Sequence, residues 1–262
     1  MAQQLDPSEI FDRAVEEGKR RLDQSLLELT STSVIAGFTI VFGHVALGIV
    51  EAFSEPVLGD LSEVGGALAF AIGMVFLVAG RTELFNENFS DPTAAAVVRP
   101  GFSAVPSLVR LWVVTLAFNL VAGSLFALLF AVDGVIPHAA TVALEQTAVE
   151  IAGRTTVAWF VRAVAGGTLV SLLSFLIVAV RSEGSRLALT FAVGFLLALG
   201  PFEHVVVSAL HVVIGAFLGA PVGVDELVAM TAVVTAGNFV GGLGLVTLTH
   251  VTQAIGADRS GA

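Results

Sequence analysis

The chain has 262 residues and a formal net charge of -10, with 56% hydrophobic and 13% charged residues. Soluble domains carry about 25% charged residues, so this chain has too little polar surface to cover a water-soluble globule. The acidic balance argues against nucleic-acid binding, and the lack of cysteine excludes disulfides, thiolate catalysis and Cys-ligated metals. We therefore predict an integral membrane protein.

Residues 1–30 have the pattern of an amphipathic helix on the cytoplasmic side of the membrane. Asp6 can cap the helix, Pro7 suits its first turn, and Glu9 can return a hydrogen bond to the cap. The apolar residues that follow share roughly one face: Phe11, Val15, Leu22, Leu26 and Leu29. This pattern predicts a helix at the membrane surface that leads into the first span, although a helix that binds a partner would look the same.

Six apolar segments follow, and each is long enough to cross a hydrocarbon core, which needs about 20 helical residues. They cover residues 34–53, 64–80, 108–132, 155–180, 187–220 and 227–250. The strands of a membrane barrel would need a period of two, which the sequence does not show. We predict an all-α membrane protein with six transmembrane helices in residues 31–252 and a cytoplasmic tail over residues 253–262.

Basic residues mark the predicted cytoplasmic segments, because Lys and Arg bias a loop toward the cytoplasm. They lie in the N-terminal arm and in the second and fourth loops: Arg13, Lys19, Arg20, Arg21, Arg99, Arg110, Arg181 and Arg186. The alternate loops are acidic, with Arg154 as the single basic residue at their edges. We predict that both termini are cytoplasmic and that the protein lies in the inner or plasma membrane.

Two stretches of the sequence repeat 120 residues apart. "GRTELFNEN" at 80–88 and "GPFEHVVVS" at 200–208 each begin with Gly at the end of an apolar half-span and have Glu three residues later. Asn119 in "FNLVAGSL" and Asn238 in "GNFVGGLG" recur at nearly the same offset. Because the repeated unit holds three helices, its second copy must cross the membrane in the opposite sense. The sequence therefore predicts two inverted three-helix repeats, which are typical of transport proteins.

The repeated stretches also predict that helices 2 and 5 are broken. Pro201 cannot donate a backbone N–H and disfavours a helical conformation in Gly200, so helix 5 should open there and leave His204 at the start of its second half. In helix 2 we expect a non-helical segment from Gly80 to Asp91, whose backbone amides and Asn86 should line the cytoplasmic half of a pathway. A break at membrane depth is tolerated beside a protein-lined cavity, so paired breaks indicate a permeation site, whereas a lone proline could be a kink without function.

Three motifs resemble those of the formate/nitrite transporter family, and the resemblance covers nearly the whole chain. They are "ELF" at 83–85, "FEH" at 202–204 and "GNFVGG" at 237–242. The resemblance implies an aquaporin-like six-helix fold and a homopentamer in membrane lipid. It also implies that each protomer has its own pore for small monovalent anions such as formate or nitrite.

The resemblance further assigns roles to single residues. The matching positions are His204 as the central pore His, Glu203 before it, Leu84 and Phe85 as a cytoplasmic constriction, Arg162 at a vestibule and Asn238 in helix 6. The chain departs from the family at Asn86, where Thr is common, and at Ser208, where Asn is usual, which indicates a less characterised branch. Arg81 and Glu87 add charges beside the helix-2 break and could alter selectivity or pair with each other.

The chemistry of these residues favours a channel or transporter for weak-acid anions. The N-termini of half-helices attract anions, whereas an apolar constriction of Leu84, Phe85 and Phe202 makes a hydrated ion shed water at a cost. An imidazole at His204 titrates near neutral pH and could lend a proton or a hydrogen bond to the anion at that barrier. Glu203 could serve the pore, but a structural role at the broken helix is favoured.

Two further histidines and two other protein classes offer alternatives to this hypothesis. His44 and His211 are assigned to packing. An intramembrane serine protease would need an activated nucleophile, and because the sequence has no GxSxG motif we predict no enzyme activity. We expect no cofactor and no metal site, since there is no phosphate-binding loop. An aquaporin-like channel for neutral solutes is the alternative, although the sequence has no NPA box.

Overall fold

The computed structural model describes residues 5–99 and 103–260, and each regular element within them is a helix. The first half contains α1 (Pro7–Leu22), α2 (Leu26–Leu58), α3 (Ser62–Ala79), α4 (Ser90–Val98), α5 (Val105–Ala127) and α6 (His138–Ala152). The second half contains α7 (Thr156–Ala179), α8 (Glu183–Leu199), α9 (Val205–Leu218), α10 (Val224–Phe239) and α11 (Leu248–Ser260), and a π-helical stretch, Val240–Thr247, joins the last two. Residues 1–4 of the predicted N-terminal helix and residues 261–262 of the predicted tail lie outside the described residues.

The start of α1 confirms the predicted helix cap. Asp6 accepts a hydrogen bond from the backbone N–H of Glu9 at 2.8 Å, and its own N–H donates to the Glu9 carboxylate at 3.2 Å. The helix ends at Leu22, and Ser25 then caps α2. The predicted domain boundary at residue 30 therefore lies inside α2, and the last two residues of the predicted amphipathic face belong to that longer helix.

Among the described residues, four stretches of helix are long and apolar enough to cross a membrane. They are Leu26–Ala79, which contains both α2 and α3, Val105–Ala127, Thr156–Ala179 and Val224–Ala254. The predicted fifth segment is occupied by α8 and α9, two shorter helices separated by a break. The apolar segments of the sequence thus correspond to α2, α3, α5, α7, the pair α8 and α9, and the helix that begins with α10.

The sequence does not predict α6, which it places in an acidic loop. Glu145 and Glu150 interrupt the apolar residues of this stretch, so its hydropathy resembles that of a connection. One face is nevertheless buried, through Leu144, Ala148 and Ile151, and packs against α9 and α2. The helical spacing of these three residues is the signal that could have revealed the element.

The break in helix 2 separates α3 from α4. It contains a 3-10 turn at Phe85–Asn88, and α4 starts at Ser90, so the non-helical segment is slightly shorter than predicted. Arg81 adopts a φ of 51°, a left-handed conformation that is uncommon for a residue with a side chain. The chain therefore leaves the helix here without a proline or a left-handed glycine.

The break in helix 5 lies between α8 and α9, with His204 as the N-cap of α9, as the proline argument predicts. Two glycines of α7 let other backbone segments approach this helix closely. A Cβ on Gly166 would lie 2.2 Å from the carbonyl oxygen of Glu203, and one on Gly167 would lie 2.4 Å from that of Asn238. These small residues therefore position the helix-5 break and α10 against the same helix.

Candidate functional site

A fully buried asparagine of α5 holds the break in helix 2. Asn119 Oδ1 accepts a hydrogen bond from the Phe85 N–H at 3.1 Å. Its Nδ2 donates to the carbonyl oxygens of Ser33 at 2.8 Å and Glu83 at 3.0 Å. Lipid cannot satisfy backbone groups that a broken helix frees, so this side chain supplies the bonds that a continuous helix would have made itself.

A second buried asparagine, in α10, holds the break in helix 5 in the same way. Asn238 Oδ1 accepts from the Val205 N–H at 2.9 Å, and Nδ2 donates to the carbonyl oxygens of Ala163 and Glu203, each at 2.7 Å. The bonded carbonyls in the two breaks belong to Glu83 and Glu203, which are 120 residues apart in the sequence. The two breaks therefore share one hydrogen-bonding scheme, and its residues lie at corresponding positions of the two repeated stretches.

Asn86 connects the two breaks to each other. Its Nδ2 donates to Asn238 Oδ1 at 2.8 Å, and the residue is fully buried. The sequence predicts that Asn86 lines a pathway, whereas the side chain lies against the asparagine of α10 and borders neither of the cavities described below.

The position of His204 fixes which of its ring nitrogens carries a proton. Nδ1 lies 3.2 Å from the Val206 N–H and 3.4 Å from the Val207 N–H, and it accepts from both as the cap of α9. An accepting Nδ1 must present a lone pair, so the neutral ring carries its proton on Nε2. Nε2 is buried and has no hydrogen-bond partner among the described residues. His204 is thus a neutral donor with an unused N–H.

Glu203 is bound by groups from three directions. Its Oε1 accepts from Arg162 Nε at 3.2 Å and also from Arg154 Nη1, while its Oε2 accepts from the Ser208 hydroxyl. Arg154 in addition donates to Glu150 Oε1 at 2.7 Å. Because the Glu203 side chain is 2% exposed, its charge needs both cations. The family resemblance implies a vestibule role for Arg162, whereas the sequence places Arg154 only at the edge of a loop.

A cavity of about 650 Å³ opens beside Glu203, and we call it the helix-5 cavity. Four residues of the predicted site border it: Arg162, Phe202, Glu203 and Ser208. Its other ionisable lining residues are Glu51, Glu55, Glu63, Glu150, Arg154 and His211. Its wall includes the start of α3, the start of α7 and the end of α8, together with parts of α2, α6 and α9.

A smaller cavity of about 270 Å³ lies beside α1, and we call it the helix-2 cavity. Its wall includes the end of α3, the end of α7 and the start of α8, together with parts of α1, the helix-2 break and α4. The two cavities therefore lie at opposite ends of α3, α7 and α8. Its charged lining residues are Glu17, Arg20, Arg21, Arg81, Glu87, Asp91, Glu183 and Arg186. The two cavities therefore approach the breaks from opposite sides.

An apolar barrier separates the two cavities. Leu84, Phe85 and Phe89 are fully buried, and the Phe85 and Phe89 rings meet edge to face with centroids 5.0 Å apart. Phe239 stacks on Phe89 at 4.7 Å. His204 is also fully buried and lines neither cavity. The predicted constriction residues Leu84 and Phe85 thus lie in the closed region between the cavities, whereas Phe202 borders the helix-5 cavity.

Helix α1 is attached to the helix-2 break through Glu83, a contact that the sequence does not predict. Arg20 Nη2 lies 3.3 Å and Gln24 Nε2 3.0 Å from Glu83 Oε1, and Arg21 Nη1 lies 3.7 Å from Oε2. Arg21 Nη1 also donates to the Glu87 carbonyl oxygen at 2.8 Å. The buried carboxylate of the helix-2 break is therefore paired with two arginines, as the carboxylate of the helix-5 break is.

Within α1, Glu17 holds the two arginines in place. Its carboxylate accepts from Arg20 at 2.6 Å and from Arg21 at 3.1 Å. Burial would raise the pKa of Glu17, but the hydrogen bonds and charges of Arg20 and Arg21 outweigh it and lower the pKa from 4.5 to about 2. Burial would likewise lower the pKa of Arg21, yet the surrounding carboxylates, with Glu83 first, raise it. The group is charged throughout the neutral range.

The two histidines assigned to packing lie against each other. The rings of His44 and His211 have centroids 4.7 Å apart and meet edge to face. His44 contacts the carbonyl oxygens of Ile40 and Val207 at 3.1 and 3.0 Å, and His211 borders the helix-5 cavity. The pair joins α2 to α9 just behind the cap of α9.

Arg81 and Glu87 do not pair with each other among the described residues. Arg81 is exposed, whereas Glu87 is 4% exposed and borders the helix-2 cavity. Ser174 donates to the Glu87 carbonyl oxygen at 3.1 Å, which holds the backbone of the 3-10 turn against α7.

Comparisons with known proteins agree on one family. Residues 8–252 match the family model described as formate/nitrite transporter. The chain is 23% identical over 244 residues to the inner membrane protein YfdC of Escherichia coli (strain K12), covering 93% of this chain and 77% of that protein. It is 29% identical over 230 residues to a probable formate transporter of Methanothermobacter thermautotrophicus, covering 80% of this chain and 82% of that protein.

Solved structures share the fold. A chain described as an FNT family ion channel superposes with a TM-score of 0.80 at 14% identity, covering 93% of this chain and 98% of that one. A pentameric formate channel with formate bound gives a TM-score of 0.70 at 18% identity, covering 92% of this chain and 98% of that one.

Proposed function

The chain belongs to the formate/nitrite transporter family, whose members are channels or transporters and not enzymes, and from this membership we propose that it conducts small monovalent weak-acid anions across a membrane. The observation that carries the proposal is the unpartnered Nε2–H of His204, buried between two cavities that approach from opposite sides. Formate is the first candidate substrate, because a relative is described as a probable formate transporter. A neutral-solute channel of aquaporin type is not favoured by the family.

We propose that the chain crosses the membrane six times as two inverted three-helix repeats. The first repeat comprises α2, the broken pair α3 and α4, and α5; the second comprises α7, the broken pair α8 and α9, and the helix from α10 to α11. The shared hydrogen-bonding scheme of Asn119 and Asn238 supports this assignment. An odd number of helices per repeat makes the copies antiparallel.

The positive-inside bias supports cytoplasmic termini, so the helix-2 cavity would face the cytoplasm and the helix-5 cavity the outside. Apolar side chains on the outer faces of α2, α3 and α5 are exposed in the single chain, including Phe42, Phe76 and Leu125. Lipid or neighbouring protomers would cover them. The pentameric formate channel that shares the fold supports a homopentamer, with a pathway inside each protomer.

Arg154 and Arg162 give the helix-5 cavity its attraction for anions. Arg162 uses Nε on Glu203, and its side chain is 29% exposed, so other N–H groups of its guanidinium remain available to a solute in the cavity. Glu203 in this scheme orients the two cations rather than meeting the anion. An anion reaching this cavity would thus exchange part of its hydration for charge-assisted hydrogen bonds.

The barrier then decides which form of the solute passes. The side chains of Leu84 and Phe85 in the barrier, and of Phe202 where the helix-5 cavity meets it, offer no hydrogen bonds, so an ion that crosses them must lose water without compensation. His204 Nε2–H can donate a hydrogen bond to the anion at this point. If the ring also takes up a proton from water as the anion arrives, the imidazolium can pass one proton to the anion, so that the neutral acid crosses and the ring returns to its neutral form. The half-helix N-terminus and the cap bonds of Nδ1 keep the ring neutral at rest, so a ring that is briefly protonated gives up its proton readily.

A flux assay in liposomes tests the proposal. Purified protein is reconstituted, and uptake of formate, nitrite, acetate, lactate, hydrosulfide and chloride is followed over a pH series, beside swelling in water and glycerol. We expect formate and other small weak-acid anions to pass faster than chloride, with faster uptake at lower pH. Rapid glycerol entry with no weak-acid flux would contradict the proposal and favour the aquaporin-like alternative.

A further inference from the structure

Two carboxyl groups in the helix-2 cavity have no role in the transport scheme above. Glu87, in the 3-10 turn, is 4% exposed, and Asp91, in the first turn of α4, is 1% exposed. Both border the cavity, on the side of the barrier opposite to Glu203. Glu87 Oε1 and Asp91 Oδ1 are buried and have no hydrogen-bond partner among the described residues.

The neighbouring arginines of α1 make their hydrogen bonds to groups other than these two carboxyl groups. The hydrogen bonds of Arg21 go to Glu17, to the Glu87 carbonyl oxygen and to the Asn88 side chain, not to either carboxyl group. Arg20 binds Glu17 and Glu83. The remaining charged groups that border the cavity are Arg81 in the break and Glu183 and Arg186 on α8. From α7 the cavity receives only the uncharged side chains of Ser174, Ile177 and Val178.

Buried carboxyl groups without partners call for a ligand that satisfies their oxygens. An ionised carboxylate buried without a hydrogen bond costs several kcal/mol, and a bound proton removes most of that cost. A metal ion is a poorer fit, because no group of three or more His, Asp or Glu side chains in the described residues could hold one. Arg21 nearby keeps the ionised form accessible, so the proton can come and go.

We propose that Glu87 and Asp91 form a proton-binding site that exchanges protons with the weak acid at the helix-2 end of the pathway. This inference rests on the proposed function. A neutral acid that has crossed the barrier gives its proton to one carboxylate, so a carboxylate and an acid become a carboxylic acid and an anion. The anion leaves past the arginines of the cavity, and the carboxylic acid releases its proton to water there. In the reverse direction the site loads an arriving anion with a proton.

Chemical labelling of the parent protein tests the site without any substitution. Dicyclohexylcarbodiimide reacts with protonated carboxyl groups in apolar surroundings, and peptide mass spectrometry locates the product. We expect Glu87 or Asp91 to be labelled, with a rate that falls as pH rises through the neutral range. Glu183, which lines the same cavity with a side chain 62% exposed, is the internal control and should remain unlabelled. Equal labelling of all three, or of none, overturns the proposal.

Transport of formate by three variants tests the role of the site. Glu87→Gln and Asp91→Asn keep the side-chain size and remove the ionisable group, and Glu183→Gln is the matched control. We expect at least about a tenfold loss of formate uptake and a flattened pH profile in the first two, and parent behaviour in the third. Parent flux and pH dependence in both buried variants would overturn the proposal. If the parent itself carries no formate, the proposed function fails, and the labelling result still decides whether the proton site exists.

Discussion

A single histidine at the helix-5 break carries two tasks on its two ring nitrogens. The Nδ1 of His204 caps α9, and the Nε2–H is buried without a hydrogen-bond partner in the part of the chain that the structure describes. These tasks depend on each other, since a lone pair on Nδ1 is what places the proton on Nε2 in the neutral ring. A replacement that keeps the cap and removes the titratable nitrogen separates the structural task from the chemical one.

Asparagine is that replacement, because its side-chain oxygen is a good N-cap acceptor. We expect His204→Asn to fold normally and to lose the pH dependence of weak-acid flux, with uptake reduced by about tenfold or more at mildly acidic pH. The measurement is formate uptake into proteoliposomes from about pH 5 to about pH 8, where an unperturbed imidazole titrates.

His211→Asn serves as the control for this variant, since His211 borders the helix-5 cavity but does not cap a half-helix. It should retain most of the pH dependence. If both variants transport like the parent protein at every pH, His204 serves the helix break alone.

The two buried asparagines give a second prediction for single residues. Asn238→Ala removes three hydrogen bonds to backbone groups and one from Asn86, and it leaves buried carbonyls unpaired. We expect the free energy of unfolding to fall by about 3 kcal/mol or more, since each unsatisfied buried group costs about 1–3 kcal/mol. Thermal unfolding in mild detergent measures the change.

Asn86→Ala is the matched comparison, because it removes one hydrogen bond while Asn238 Oδ1 still accepts from the Val205 N–H. Its destabilisation should be near 1 kcal/mol. Equal melting temperatures for the two alanine variants would show that Asn238 does not hold the break.

At the scale of helices, the breaks and caps were the most predictable features. Pro201 locates the end of α8 and the start of α9 from residue chemistry alone, and Asp6 with Glu9 locates the start of α1. The helix-2 break was predictable through its match to the helix-5 break, since no proline marks it. Its left-handed Arg81 carries no sequence signal.

Features that depend on contacts between distant segments were not predictable. Glu83 pairs with two arginines of α1 that lie about 60 positions earlier in the chain. The amphipathic pattern of α1 predicts a polar face but does not predict which residues that face contacts. Arg154 was missed at Glu203 for the same reason. The acidic residues of α6 lower the average hydropathy of this stretch to that of a loop, so its narrow buried face does not show in the average. The proposed residue roles that came from the family resemblance stay predictions until flux is measured.

The contribution of Glu17 to the docking of α1 onto the helix-2 break should not respond to pH in the neutral range. The folded pKa of Glu17 is about 2, below its value of 4.5 in an unfolded chain, so its pairing with Arg20 and Arg21 stabilises the helix above about pH 4.5. That contribution is lost only as pH falls through about 2. The difference in α1 amide protection between the parent protein and a Glu17→Gln variant, measured by hydrogen exchange, should therefore be constant between about pH 5 and about pH 8.

Glu17→Gln is the informative variant here, because it keeps the size of the side chain and removes the charge that binds both arginines. We expect lower protection of α1 amides at all of these pH values. A difference between the two proteins that changes steeply near neutral pH would show that Glu17 does not act as a fixed charge in docking.

The barrier between the cavities gives a prediction for the helix-2 break as a whole element. Leu84→Ala and Phe85→Ala each open space in a fully buried apolar cluster, at a cost of about 2–5 kcal/mol in stability. If this segment forms the constriction, both variants should admit larger acids such as lactate and discriminate less among anions. Anion flux that is unchanged in both, at equal amounts of folded protein, would mean that the break is a connector only.

At the scale of the whole molecule, the exposed apolar surface bears on assembly. Apolar side chains on the outer faces of the long helices are exposed in the single chain, and lipid or further copies of the chain would cover them. A pentameric formate channel shares the fold. We predict a homopentamer in mild detergent. Native mass spectrometry should give five times the chain mass of 27.0 kDa, and a stable monomer or dimer would count against the assembly.

The two cavities also shape the electrical profile of the membrane. If both fill with water, they carry the potential of the adjoining solutions inward, so the transmembrane voltage falls mainly across the short segment that contains Leu84, Phe85 and His204. A charge that crosses this segment exchanges about 2.3 kcal/mol with the field for every 100 mV. The voltage would therefore drive an anion strongly, whereas it would exert no net force on a neutral acid. The slope of current against potential therefore distinguishes an anion that crosses this segment from a neutral acid that crosses it.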